Sequence, residues 1–306
     1  MAPNPLDHSN VLDINLTVHS DLADKFYDAL NLGGYKNKRL TQLQVLLANL
    51  ISNHQTDPDL YTALSLADGF YNPKSRYNSH SIGKGFINLI RELAEGDWLE
   101  LHKGFIDRKS KISRRSRIKP TDKTLKLLED LHAYSHLIAR APNTECIIKR
   151  DEDKKDIAYK RNSHVDDMKT VVDNYNSFLR ETFIDIPYLE KPTLKYKDSK
   201  GHERYIYINQ QTKFTKRVFN KSSFELGGRF YGGWWQKISE ELRKDIYLDN
   251  RPTREIDFTA LHPILAYAEK GINYWETKPV GSNSLTDPYD IPTIGIKDKK
   301  IARKFN

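Results

Sequence analysis

SIGKGFINLIRELAEGDWLELHKGFIDRKSKISRRSRIKPT, residues 81–121, decides how the N-terminal half of this chain is read. Ser81 can cap a helix in which Ile82, Phe86, Ile90 and Leu93 recur at helical spacing, and Gly96 ends it. From Trp98 onward the residues first alternate, then turn basic, then stop at Pro120, as a strand, a loop and a return strand do. Between Lys103 and Lys119 lie eight basic residues, Lys103, Arg108, Lys109, Lys111, Arg114, Arg115, Arg117 and Lys119, against the single acid Asp107.

Upstream, residues 1–35 form a polar lead-in with a weak helical pattern at Leu22, Phe26 and Leu30, closed by Gly33-Gly34. Leu40, Leu43, Leu46, Leu47, Leu50 and Ile51 then mark one face of a core helix. A short helical stretch is expected at Asp59–Ala67 and a turn at Tyr71-Asn72-Pro73. Helix, helix, helix, hairpin is the order of a winged-helix unit, assigned to residues 36–185 with a helical extension. In such a unit the hairpin lies along phosphates while the preceding helix enters the major groove. Arg76, Asn78, His80 and Lys84 are then expected near bases, and the eight cations on the DNA backbone. The competing reading is a solvated basic hairpin in which Phe105 and Ile112 serve only the hairpin.

The chain has 306 residues, 38% hydrophobic and 29% charged, enough for a buried core and about two domains. Its formal charge of +8 favours polyanionic partners. Cys146 is the only cysteine, which excludes an internal disulfide and multi-cysteine metal sites, and the ten histidines show no HExxH spacing. No run approaches the ~18 apolar residues of a membrane span, and the start lacks signal-peptide character, so a cytoplasmic location is expected.

Downstream, Thr121 caps an expected helix to Ala133, ECIIKR and DIAYK read as short strands around a charged turn, and Val165–Leu179 reads as a helix. Residues 187–209 are polar and extended. The domain boundary is expected near 185–200, with a second domain over 186–306. That domain holds FELGGRFYGGWWQ (224–236) and TREIDFTALHPILAYAEKG (253–271). The first offers Arg229, Trp234 and Trp235 as a stacking platform for nucleic acid, or equally a Gly-aromatic turn of the core. In the second, Glu255 and Asp257 alternate onto one face of a strand just before an apolar helix, Leu261–Ala268. Carboxylates so placed suit Mg²⁺ or Mn²⁺. No Walker loop and no GxSxG elbow occurs.

IDFTALHPILAYAEKG resembles motif A of the palm of right-hand nucleic-acid polymerases, nearest the DNA polymerase A type. The arrangement as a whole resembles polymerase-like replication proteins of phages and mobile elements. The resemblance implies an α+β chain, a winged-helix region followed by a partial palm, stopping before motif C. It makes Asp257 a catalytic metal ligand, with Glu255 its neighbour and Asp290 a substitute second ligand. Asp290 within DPYD also reads as a turn residue. Arg303 and Lys304 are similar to the basic opening of the fingers helix and would meet a nucleoside triphosphate. The implied function is a DNA-binding, template-directed nucleotidyltransferase. The rivals are a non-catalytic replication initiator or transcriptional regulator, and a metal-dependent nuclease using Glu255, Asp257 and Asp290.

Overall fold

A computed structural model of the protein describes residues 4–33, 36–107, 109, 112–197, 201, 203–254, 256 and 260–276. The fold is α+β, and the chain divides into two compact units, Met1–Thr253 and Arg254–Asn306. The boundary expected near 185–200 falls inside the first unit.

The first unit opens with β1 (Ser9–Val11), β2 (Leu16–Val18), α1 (Ser20–Leu30) and α2 (Lys36–Thr56). Helix α1 buries Leu22, Ala23 and Phe26 and ends at Asn31, which takes the left-handed conformation that a helix stop requires. The lead-in is therefore part of the core. Helix α2 is the spine, about 31 Å long at 1.5 Å per residue. It buries apolar side chains and also Asn49, Ser52 and Asn53, because strands and helices surround it on several sides.

Next come β3 (Tyr61–Leu64), α3 (Lys84–Glu95), β4 (Leu99–His102), β5 (Phe105–Asp107), β6 (Ile112–Arg114), β7 (Ser116–Pro120) and α4 (Asp122–Asp130). The helix expected at Asp59–Ala67 is instead strand β3. All four of its residues are buried, so neither face shows the polar alternation that distinguishes a strand from a helix. Helix α3 is capped by Gly83, not Ser81, whose φ of +49° puts it in the left-handed region within the preceding loop. The cap of α4 is Thr121, as expected: its side chain accepts from the Thr124 amide.

These strands form a sheet in the order β1-β3-β7-β4. Strand β1 runs parallel to β3, and the β3/β7 and β7/β4 pairs are antiparallel, with Leu101 opposite Ile118. Beyond it β5 and β6 pair as a separate ribbon, Phe105 opposite Arg114. Gly104 allows the break between the two, since a Cβ there would run into the Arg114 carbonyl and the Ser116 amide. Leu46, Phe86, Ile90 and Ile118 lie in the core beneath.

The rest of the first unit comprises β8 (Ile138–Arg140), β9 (Ile147–Lys149), α5 (Ser163–Glu181), β10 (Ile184–Asp185), β11 (Thr193–Lys197), β12 (Glu203–Tyr207), β13 (Lys216–Phe219), β14 (Gly227–Tyr231), α6 (Glu240–Arg243), β15 (Tyr247–Leu248) and β16 (Arg251–Pro252). Asn162 caps α5. DIAYK forms no strand, only an isolated bridge from Asp156 to Arg150. Strand β8 pairs with β2, and β13 lies between β9 and β14. Asn209 ties this half to the spine by donating to Ser52 Oγ at 2.8 Å and Thr56 Oγ1 at 3.0 Å.

In the second unit, the described residues form α7 (Leu261–Glu269), as the apolar periodicity predicts, and an aromatic group in which Tyr274 meets Tyr267 and Trp275 at 5.2 and 5.3 Å. Among the described residues no helix is long and apolar enough to cross a membrane.

Candidate nucleic-acid interface

Helix α3 buries Phe86, Ile87, Leu89, Ile90 and Leu93, each worth about 1.5–3 kcal/mol when fully buried. That burial fixes the rotation of the helix. Lys84, Asn88, Arg91 and Glu95 are left as its exposed stripe. Between this helix, the loop after β3 and the β5/β6 ribbon lies a groove of about 740 Å³. Arg91, Lys103, Arg114 and Arg115 line it together with Phe70 and Phe105, and among the described residues no acid does.

The groove suits a polyanion with flat bases. Phe70 and Phe105 are 52% and 46% exposed, and Ile106 at the ribbon is 79% exposed, which is unusual for side chains with a core available. The Arg114 guanidinium lies 5.3 Å from the Phe105 ring, and among the described residues its shielded Nε has no hydrogen-bond partner. Arg115 lies 5.7 Å from the Phe70 ring. Lys103 and Lys109 are exposed. Arg108 and Lys111 lie outside the described residues.

Two of the eight expected cations do a different job. Arg117 Nε donates to the Leu6 carbonyl at 2.8 Å and its Nη1 to the Arg115 carbonyl at 2.9 Å, so it clips the N-terminal segment to the hairpin root. Burial, with Arg114 and Arg115 adding and Asp7 opposing, pulls the Arg117 guanidinium down from its ordinary value. Lys119 reaches Glu100 at 3.8 Å and sits 5.1 Å from the Tyr61 ring.

The residues expected near bases are mostly engaged elsewhere. Arg76 lies 3.3 Å from the buried Glu145 carboxylate, stacks 3.5 Å from the Tyr159 ring and donates to the Tyr159 carbonyl. Asn78 is buried and holds the loop before α3, accepting from the Ile82 amide and donating to the Ile82 and Asn72 carbonyls. Burial lowers the His80 imidazole from its ordinary value. Only Lys84 is on the exposed stripe, 3.3 Å from Asp68. Arg91 and Asn88, which sequence reading passed over, stand where base contacts would fall. Their signal was positional: seven and four residues after Lys84, they share its face.

In the Gly-aromatic segment, Trp234 is a core residue, 4% exposed, and Trp235 packs partly against the same cluster. Gly232 has φ +139°, and a Cβ there would meet the Phe214 carbonyl, so the turn is built for close packing. Arg229, Phe230 and Tyr231 of β14 are exposed. Trp234 is therefore a core residue and not the stacking surface expected of it, Trp235 is half-buried, and Arg229 is exposed.

Glu255, Asp257, Asp290, Arg303 and Lys304 lie outside the described residues. Among the described residues no three His, Cys, Asp or Glu side chains are grouped to hold a metal ion. Cys146 is buried, and burial pushes its thiol up to about 12, which leaves it unreactive near neutrality. No protein-family model, curated protein or solved structure matches this chain.

Proposed function

We propose that this chain binds duplex DNA through the groove between α3 and the β5/β6 ribbon. The observation that carries the reading is the acid-free convergence of Arg91, Lys103, Arg114 and Arg115 around two exposed phenylalanines. Supporting it, the antiparallel run β3-β7-β4 with α3 directly before β4 resembles the order of a winged helix, to which β1 adds a parallel edge strand. One departure is the loop 65–83, which stands where that unit has its second helix. The exposed stripe Lys84-Asn88-Arg91 faces bases, and the ribbon follows phosphates.

Fluorescence anisotropy of a labelled duplex across a salt series tests this. If Arg91, Lys103, Lys109, Arg114 and Arg115 each neutralise one phosphate, log K falls against log salt with a slope of about −4.5. A slope near zero, or one unchanged when Lys103, Arg114 and Arg115 become Ala, overturns the assignment. Single-stranded DNA and duplex RNA of equal length serve as competitors.

A replication role rests on the C-terminal resemblance, and one observation favours it: an apolar helix, α7, follows Asp257 in the order that motif A has. On this reading Asp257 and Glu255 would hold Mg²⁺ or Mn²⁺ and act on a nucleoside triphosphate. Primer extension in either metal, lost in Asp257→Ala, supports it. Extension that survives the substitution excludes Asp257, and cleavage of plasmid instead of extension favours the nuclease.

A further inference from the structure

A second cavity, of about 310 Å³, lies in the first unit apart from the groove, where β1, α2, β12 and the start of β13 meet. At its wall Asp13 is held by Arg140, Nη2 to Oδ2 at 2.7 Å, and by Asn49, whose Oδ1 accepts from the Asp13 amide at 2.8 Å. Burial alone would raise the Asp13 carboxyl, but Arg140, with Lys216 and the Asn15 amide, holds the acid below its ordinary value. The carboxylate is therefore matched by one cation already.

Lys216 also lines this cavity, half-buried, with its ammonium 6.0 Å from the Phe214 ring. Burial pulls its pKa down, with Asp13 opposing and Arg140 reinforcing; Asp156 and Arg150, 2.9 Å apart, act on it in opposite senses. Among the described residues the Trp234 indole Nε1 on the same wall is a shielded donor without a partner. Lys237 completes the set from an exposed position. A shielded indole N–H left unpaired is costly, and a bound anion would satisfy it while meeting the two ammonium groups that line the same cavity. Facing them, Tyr205 and Tyr207 present near-parallel rings, 8° apart in plane, braced edge-on by His8 at 4.8 and 5.7 Å.

We propose that this cavity binds a phosphorylated aromatic small molecule of about mononucleotide size, its phosphate meeting Lys216, Trp234 Nε1 and Lys237 and its ring facing Tyr205 and Tyr207. The volume lies at the small end of ligand sites, near 300 Å³, which excludes large cofactors. The site stands independently of the DNA reading.

Isothermal titration calorimetry on the full chain, with AMP, adenosine and inorganic phosphate as probes, tests it. AMP is expected to bind at least tenfold tighter than adenosine, and phosphate to compete with it. Lys216→Met should weaken AMP at least tenfold and leave adenosine and duplex DNA unaffected. Trp234→Phe, which keeps a ring and removes the N–H, should weaken AMP several-fold. Should Lys216→Met not fold, Lys237→Ala at the exposed position is expected to weaken AMP at least threefold. Equal binding of AMP and adenosine, no AMP binding at millimolar concentration, or AMP affinity unchanged in the folded lysine variants overturns the proposal.

Discussion

The outer hairpin and the polar interior use the same residue types for opposite ends. Lys103, Arg114 and Arg115 stand around an open groove with no acid in its lining, whereas Arg140 is paired with Asp13, Arg76 with Glu145, and Arg117 with a backbone carbonyl. Charge alone does not separate them. What separates them is whether a fixed acceptor already lies within hydrogen-bond reach. An arginine with such an acceptor in a shielded position holds the fold together; Arg91, exposed although its Nη2 donates to the Leu66 carbonyl at 3.2 Å, stays with the groove.

The sharpest way to break this comparison is the triple change of Lys103, Arg114 and Arg115 to Ala. It should make the salt slope shallower by about 2.7, which at 0.1 M salt amounts to between two and three decades of DNA affinity, with little change in melting temperature. Arg140→Ala should do the reverse. It strands the Asp13 carboxylate in the interior and should cost about 3 kcal/mol in denaturant unfolding, the lower end for a broken buried pair because this pair faces a cavity. Its DNA slope should stay as in the wild type.

Acid titration sharpens the same contrast. The Asp13 carboxyl is held below its unfolded value of about 3.9, so its stabilisation is fully present above that pH and is lost as pH falls through the lower folded value. Asp13→Asn should flatten that acid limb of the stability curve, and an unchanged limb would remove Asp13 as its source. A smaller effect is expected for Arg117→Ala, about 1.5 kcal/mol from the lost bond to Leu6, again without a change in slope. If Arg117→Ala instead weakens DNA as the triple change does, the hairpin root belongs to the interface.

Much of the helical framework was legible because its signals are local. The leucines of α2, the apolar stripe of α3, the Thr121 cap and the alternation of β4 and β7 all lie within a few residues of the feature they predict. Strand β3 was not, because burial on both faces removes the alternation. The site was half legible. The density of cations from Lys103 to Lys119 can be read directly, but the loss of Arg76 to Glu145, and of Arg117 to Leu6, depends on partners 69 and 111 residues away. The cavity around Lys216 was invisible for the same reason, since its walls come from segments spread between Ser9 and Lys237.

The clip between Arg117 and Leu6 also sets an order of events. The first residues of the chain are held by groups made much later: His8 by Asp57 at 2.9 Å and by Tyr207, β1 by β3, and Leu6 by Arg117. During synthesis the partners of the leading segment arrive in turn, Asp57 and β3 about fifty residues later and Arg117 more than a hundred residues later. Such distant pairings are slow to form. The amides of β1 should therefore be among the last in the sheet to gain protection in pulse-labelled refolding, and a bulky fusion at the N-terminus should delay closure of the sheet that carries the ribbon.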